Sequence, residues 1–85
     1  MGSKAETNLR KHGLSFREAS TAFGDPLSIT IADPDHSDDE QRFLLLGETF
    51  TGKLIVVAHV DRGETIRLIS ARVASGRERR VYEDG

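Results

Sequence analysis

The chain has no cysteine, which excludes disulfides, thiolate–metal centres and thiol chemistry, and fits a reducing compartment. It is also poor in apolar residues: 36% are hydrophobic against 31% charged, a low and a high value for a globular protein. Its longest apolar run, Leu54 to Ala58, falls far short of the roughly 20 residues a membrane span needs. No basic-then-apolar leader opens the sequence, so the expectation is a small soluble protein of the cytoplasm without a signal peptide. At 85 residues a second hydrophobic core is excluded and one domain is expected. A chain of this size buries only about 60–65% of the surface its unfolded form exposes, which makes stability modest.

What the chain has in quantity is charge, unevenly placed. The formal net charge is −2, yet residues 25–48 carry seven acids against Arg42 alone, a net −6. Residues 62–80 carry six arginines against Glu64 and Glu78, a net +4. Every cation of that second block is arginine, whose planar fork grips phosphate or carboxylate through two bonds at once. One end of the molecule is thus suited to a polyanion and the other to a basic partner, unless both charge blocks are simply solvated.

Local patterns give the elements. A first helix is expected from Lys4 to about Lys11, with Ser3 as N-cap and His12-Gly13 as the left-handed stop. Ser15-Phe16-Arg17-Glu18 has capping-box spacing, with the Glu18 carboxylate placed to reach back to the Ser15 amide. The apolar stripe Phe16, Ala19, Phe23 follows, and Gly24-Asp25-Pro26 ends that helix. The period then changes to two in Leu27-Ser28-Ile29-Thr30-Ile31, a strand buried on one face. After a polar loop over residues 33–40 come Phe43 to Leu46, then Leu54 to Ala58, apolar on both sides and so central, then Thr65 to Val73. Ser75-Gly76-Arg77-Glu78 repeats the capping-box pattern and opens a last helix to about Tyr82. The fold class expected is α+β: a four-stranded antiparallel meander with two helices before it and one after, the helices mainly on one face.

No phosphate-loop or dinucleotide-binding spacing is present. Asp33, Asp35, His36 and Asp38 resemble hard-cation ligands, but the stretch lacks the glycine and terminal glutamate of an EF-hand loop and reads as a turn-forming acidic loop. His12, at a helix end, gains from the helix dipole and is read as structural. His59, on the central strand, is either a general base or a hydrogen-bonded histidine of the core. Arg79 and Tyr82 are three apart on one helix face. Arg67 and Arg72 are five apart on one strand, so regular alternation sends them to opposite faces. A bulge near Ser70-Ala71 or a twist at the strand end is required to bring them together.

The ordered set of short motifs resembles the BrnT toxin family. The resemblance rests on Lys4-Ala5-Glu6-Thr7-Asn8-Leu9-Arg10-Lys11-His12-Gly13-Leu14-Ser15-Phe16 and Phe23-Gly24-Asp25-Pro26. It continues through Asp35-His36-Ser37, Arg42-Phe43, Leu46-Gly47 and Arg62-Gly63, then Arg67-Leu68-Ile69-Ser70-Ala71-Arg72 and Glu78-Arg79-Arg80-Val81-Tyr82-Glu83. It spans residues 4–83. The family usually opens with a short strand of the type aromatic-x-Trp-Asp; here Met1-Gly2-Ser3 stands in its place and reads as a vector-derived scar or a mispredicted start, leaving residues 4–85 as the toxin domain.

The resemblance implies a RelE-like fold and a ribonuclease toxin of a type II toxin–antitoxin system. It implies a ribbon-helix-helix antitoxin of the BrnA type as partner in a hetero-oligomer, with operator DNA reached through that antitoxin. Carried over by position, it points to Arg72 and Tyr82, then Arg79 and Arg67, with Glu48 as an acid/base candidate. No metal or cofactor is implied. The expected chemistry is attack of an RNA 2′-hydroxyl on the adjacent phosphate. The competing expectation is a non-catalytic toxin-like module that binds an antitoxin through the same arginines.

Overall fold

Alternation, capping and one amide side chain account for the architecture. In chain order the elements are α1 (Lys4–His12), α2 (Phe16–Ser20), a 3-10 turn (Thr21–Gly24), β1 (Ile29–Ala32), β2 (Arg42–Glu48), β3 (Leu54–Asp61), β4 (Ile66–Val73) and α3 (Gly76–Asp84). A computed structural model describes residues 4–33 and 40–85. The Ser3 cap and the ligand-like Asp35, His36 and Asp38 lie outside the described residues.

The sheet is a four-stranded antiparallel meander in the order β1-β2-β3-β4, matching the expected α+β class. Leu45 pairs with Val57 and Val57 with Ala71, so these residues share one face. That face meets Leu14, Ala19 and Ala22 in the core, with Phe23 and Leu68 packed at its margin. The 3-10 turn lies directly on β2: a Cβ at Gly47 would stand 3.0 Å from the Ala22 carbonyl oxygen, so only glycine allows this approach. Residues on the other face, among them Leu44, Leu46, Val56 and Ala58, are paired in the same registers.

Three local expectations need correction. The second helix stops at Ser20 and tightens into the 3-10 turn over Thr21–Gly24. Its capping box is half made: the Ser15 hydroxyl accepts from the Glu18 amide, but the Glu18 carboxylate accepts from the Thr51 hydroxyl and pairs with Lys53 instead of returning to Ser15. A long-range partner on the β2–β3 turn replaces the local one. The first strand begins at Ile29, after an Asx turn in which Asp25 Oδ1 accepts from the Leu27 amide. As an edge strand it is mostly exposed, with Ile31 at 55%, rather than buried on one face.

The other sheet edge, β4, is covered by α1 through Asn8. This side chain is 4% exposed; its Oδ1 accepts from the Ala71 amide at 2.8 Å and its Nδ2 donates to the Leu14 carbonyl at 2.9 Å. One amide thus closes an outward-facing donor of the edge strand and ties down the turn at Gly13, where φ is +67°. Replacing Asn8 with alanine leaves both backbone groups buried without partners, and each such group costs about 1–3 kcal/mol. Asn8→Ala is therefore expected to lower the unfolding free energy in urea by about 3 kcal/mol, whereas Leu9→Ala, at a half-exposed neighbour, changes it by no more than about 1 kcal/mol.

Candidate functional site

The register between β3 and β4 decides where the strand arginines point. Val56 pairs with Arg72, Val57 with Ala71 and Ala58 with Ser70, but His59 pairs with Leu68, Val60 with Arg67 and Asp61 with Ile66. Ile69 is thus an extra residue opposite Ala58/His59, a β-bulge. It reverses the alternation, and Arg67 and Arg72 fall on the same face, the one opposite the helix-packed core. Glu48, paired with Leu54, and Arg42, paired with Val60, lie on that face as well.

Arg72 is held in one orientation. Its Nη1 and Nη2 donate to the two carboxylate oxygens of Glu78 at 2.7 and 2.8 Å, and Nη1 lies 3.5 Å from the Val73 carbonyl. Glu78 is itself immobilised, because Ser75 and Glu78 form a complete capping box at the start of α3. Glu78 Oε1 accepts from the Ser75 amide at 2.8 Å while the Ser75 hydroxyl accepts from the Glu78 amide. The bidentate bond to Arg72 and the Ser75 contacts hold the Glu78 carboxyl down at about 2, against an ordinary value of 4.5. The Arg72 Nε–H makes no hydrogen bond among the described residues, Nη2 has a second N–H beyond the one given to Glu78, and the side chain is 46% exposed. These two N–H groups lie on the side edge of a guanidinium whose far end is fixed by Glu78.

Tyr82 is tied to a second carboxylate. Its hydroxyl donates to Asp25 Oδ2 at 2.6 Å, and the same oxygen accepts from the Glu48 amide at 2.9 Å. Hydrogen bonding to the Asp25 carboxylate pushes the Tyr82 phenol up to about 12, and the same bond lowers Asp25. Tyr82 is thus protonated at neutral pH, with its proton directed at Asp25. Since α3 has no fully buried residue, these two carboxylates, Glu78 and Asp25, are its principal anchors.

The candidates divide accordingly. Arg72 is tied to Glu78 in the first turn of α3, while Tyr82, in the last turn, is joined through Asp25 to the backbone of Glu48 at the end of β2. Arg79 lies on α3 one turn from Tyr82, exposed, with its guanidinium in no ion pair among the described residues. Arg67 shares the face but stands about 15 Å along β4 from Arg72. It belongs to a second cluster in which Arg62 grips Glu40 bidentately at 2.9 and 3.1 Å and Arg67 and Arg42 add to the positive potential on Glu40.

His59 resolves as a core residue. It is 4% exposed, its Nδ1 lies 3.3 Å from the Val57 carbonyl, and its ring sits between Phe23, edge-on at 4.9 Å, and Phe43, stacked at 5.8 Å. Among the described residues no group of three His, Asp or Glu side chains forms a metal-binding cluster, and no helix is long and apolar enough to cross a membrane. Sequence reasoning missed Asp25 and Glu78 as members of the site. Each carried a visible local signal, an Asp-Pro turn and a capping box, that accounts for only half of what its carboxylate does.

A fork-shaped cation and an exposed carboxylate on one sheet face, with a phenol on the adjoining helix, are groups that can hold a phosphate and move protons. The model of a family described as "Ribonuclease toxin, BrnT, of type II toxin-antitoxin system" matches residues 2–78. The match takes in Arg67, Arg72, Glu48, Asp25 and Glu78 and ends before Arg79 and Tyr82. No curated protein matches the chain.

The Glu78 pair carries a pH signature. Because the carboxyl is lowered on folding, its contribution is complete above the ordinary value of 4.5 and disappears as pH falls from there through about 2. Glu78→Gln keeps a capping-competent side chain but removes the charge. The variant should therefore melt a few degrees below the parent at pH 7, and this gap should close as the pH is lowered below 4. Thermal melts between pH 3 and 7 check this; a gap independent of pH would show that the ion pair contributes nothing.

Proposed function

Because the chain belongs to the BrnT family of ribonuclease toxins of type II toxin–antitoxin systems, we propose that it is an endoribonuclease that cleaves by attack of the RNA 2′-hydroxyl, without a metal ion. The observation that carries this reading is the anchoring of the far end of the Arg72 guanidinium by Glu78, which leaves Nε–H and the second Nη2–H uncommitted on the same sheet face as Glu48. In the proposed step the 2′-oxygen bonds to the adjacent phosphorus as its proton passes to a base, the bond from phosphorus to the 5′-oxygen breaks, and that oxygen takes up a proton. The products are a 2′,3′-cyclic phosphate and a free 5′-hydroxyl.

Arg72 holds the phosphate and offsets the charge that builds on its non-bridging oxygens. Glu48, an exposed carboxylate, is the candidate base. Tyr82, kept protonated by Asp25, is the candidate donor to the leaving oxygen or the group that packs on a base, with Arg79 beside it as phosphate clamp. Arg67, further along the strand, contacts a neighbouring phosphate. In the cell the partner is an antitoxin, which we take to be a ribbon-helix-helix protein of the BrnA type that brings the complex to operator DNA. The shared cytoplasm of RNA and antitoxin is the proposed site of action.

The test uses a defined RNA and its fully 2′-deoxy counterpart, both with chelator present. Only the RNA is expected to be cut, with cyclic-phosphate ends. Arg72→Ala should slow cleavage at least about 100-fold, a loss of the size seen when a transition-state donor is removed. Arg62→Ala, whose guanidinium serves Glu40, should stay within about threefold. Equal cleavage of the deoxy substrate would sink the 2′-hydroxyl mechanism. A folded chain that cuts neither but binds its antitoxin, with Arg72→Ala weakening that complex, would make it the non-catalytic module.

A further inference from the structure

The face that α1 turns toward the sheet edge is unlike that of a helix packed on a core. Lys4, Thr7, Asn8 and Lys11 follow the i, i+3, i+4, i+7 spacing that gathers residues on one side of a helix, and apolar residues normally occupy that stripe. Here the stripe is polar and cationic, while Leu9 is 51% exposed elsewhere on the helix. Asn8 is explained by its bonds to Ala71 and Leu14. Lys11 and His12 lie in the last turn, where the helix dipole favours cations. The dipole opposes Lys4, which lies in the first turn and makes no ion pair among the described residues. A groove of about 300 Å³ runs between this stripe and the bulge of β4, with Lys4, Thr7, Lys11 and His12 on one wall and Ile69 and Ser70 on the other.

Resting on the reading of the chain as a ribonuclease, we propose that this groove is a second binding subsite, for the sugar–phosphate backbone of single-stranded RNA running on from the phosphate at Arg72. Ser70 links the two sites: it lines the groove, and it lies on the same face as Arg72, two residues and about 7 Å along the strand. The strand of RNA passes over the edge of the sheet at the bulge, with Lys4 and Lys11 on its phosphates and the Thr7 and Ser70 hydroxyls as donors. A protein partner is the weaker fit. Protein interfaces are anchored by large apolar and aromatic side chains, and Ile69 is the one hydrophobic residue among those lining the groove, beside two lysines, whereas nucleic-acid interfaces are rich in cations.

The experiment measures binding of uncleavable 2′-O-methyl RNA, a 10-mer and a 3-mer, to the full chain and to Lys4→Ala/Lys11→Ala across a salt series. Each single-strand phosphate contact contributes about 0.7 to the salt slope, so the double variant should lose about 1.4. Near 0.1 M salt that corresponds to a roughly 20-fold loss of affinity for the 10-mer. The 3-mer, which covers only the Arg72 region, should bind both proteins alike. The melting temperature of the double variant should be unchanged, since both side chains are exposed.

An unchanged slope and affinity for the 10-mer would overturn the subsite, as would failure of the parent chain to bind either RNA. Loss of affinity for a polyglutamate peptide with RNA affinity intact would overturn it in favour of an acidic protein partner. A parent chain that binds the 10-mer through Lys4 and Lys11 but cleaves no RNA would uphold the subsite and refute the ribonuclease reading instead.

Discussion

A single extra residue in β4, Ile69, decides which face of the sheet carries the strand arginines. Without it, strict alternation would place Arg67 on the core face, where an unpaired guanidinium in a small core is not tolerated. With it, Leu68 turns inward beside the core and both arginines turn out. The irregularity also sits against the groove beneath α1, where Ser70 connects the arginine face to the sheet edge. Bulges bend and twist an edge strand, and Asn8, bonded to the amide of Ala71 two residues on, holds the helix against the bent part. Strand register, edge protection and the orientation of the charged face are thus one structural event and not three.

The C-terminal helix shows how a chain with few apolar residues positions functional groups. No residue of α3 is fully buried, and Val81 is half exposed, so hydrophobic burial does little to hold it. Its place comes from carboxylates that each serve two masters. Glu78 caps its own helix and grips Arg72, and Asp25 makes the turn before β1, receives the Glu48 amide and receives Tyr82. Such polar ties are directional, so they define the rotation of α3 more sharply than an apolar stripe of similar strength would. They also join segments far apart in the chain, β4 to α3 through Glu78 and the end of β2 to α3 through Asp25, which lies 57 positions from Tyr82.

How much of this the sequence reveals depends on the range of the interaction. Elements governed by neighbours were legible: the capping box at Ser75, the helix stop at Gly13, the central apolar strand and the meander order all follow from spacing. His59 could be weighed but not decided, because its Phe23 and Phe43 partners come from other elements. The Arg67–Arg72 relation was legible as a condition, that a bulge is needed, but no residue type near Ser70 dictates the slip, which is visible only in the pairing of β4 with β3. Glu18 and Glu78 have the same local motif, yet one completes its box and the other is drawn away to Thr51 and Lys53. Local pattern cannot separate the two, because what distinguishes them is which long-range partner stands within reach.

The same distinction identifies which arginine is free to act. Arg62 and Arg72 are both bidentate with a glutamate, and both belong to the basic C-terminal block. Arg62 commits Nε and Nη2 to Glu40, the edge that lies along its side, and thereby joins the two charge blocks to each other. Arg72 commits Nη1 and Nη2, the far end of the fork, to Glu78. The side edge of Arg72 is then held at a defined angle by a partner that is itself capped in place. A phosphate arriving there meets two parallel donors with no rotamer left to freeze, and the carboxylate behind them sharpens their direction while sparing their capacity to bind. Charge counting treats the two pairs as equal and neutral; what separates them is the helix cap behind Glu78, and in the proposed reaction it is the side edge of Arg72 that takes the phosphate.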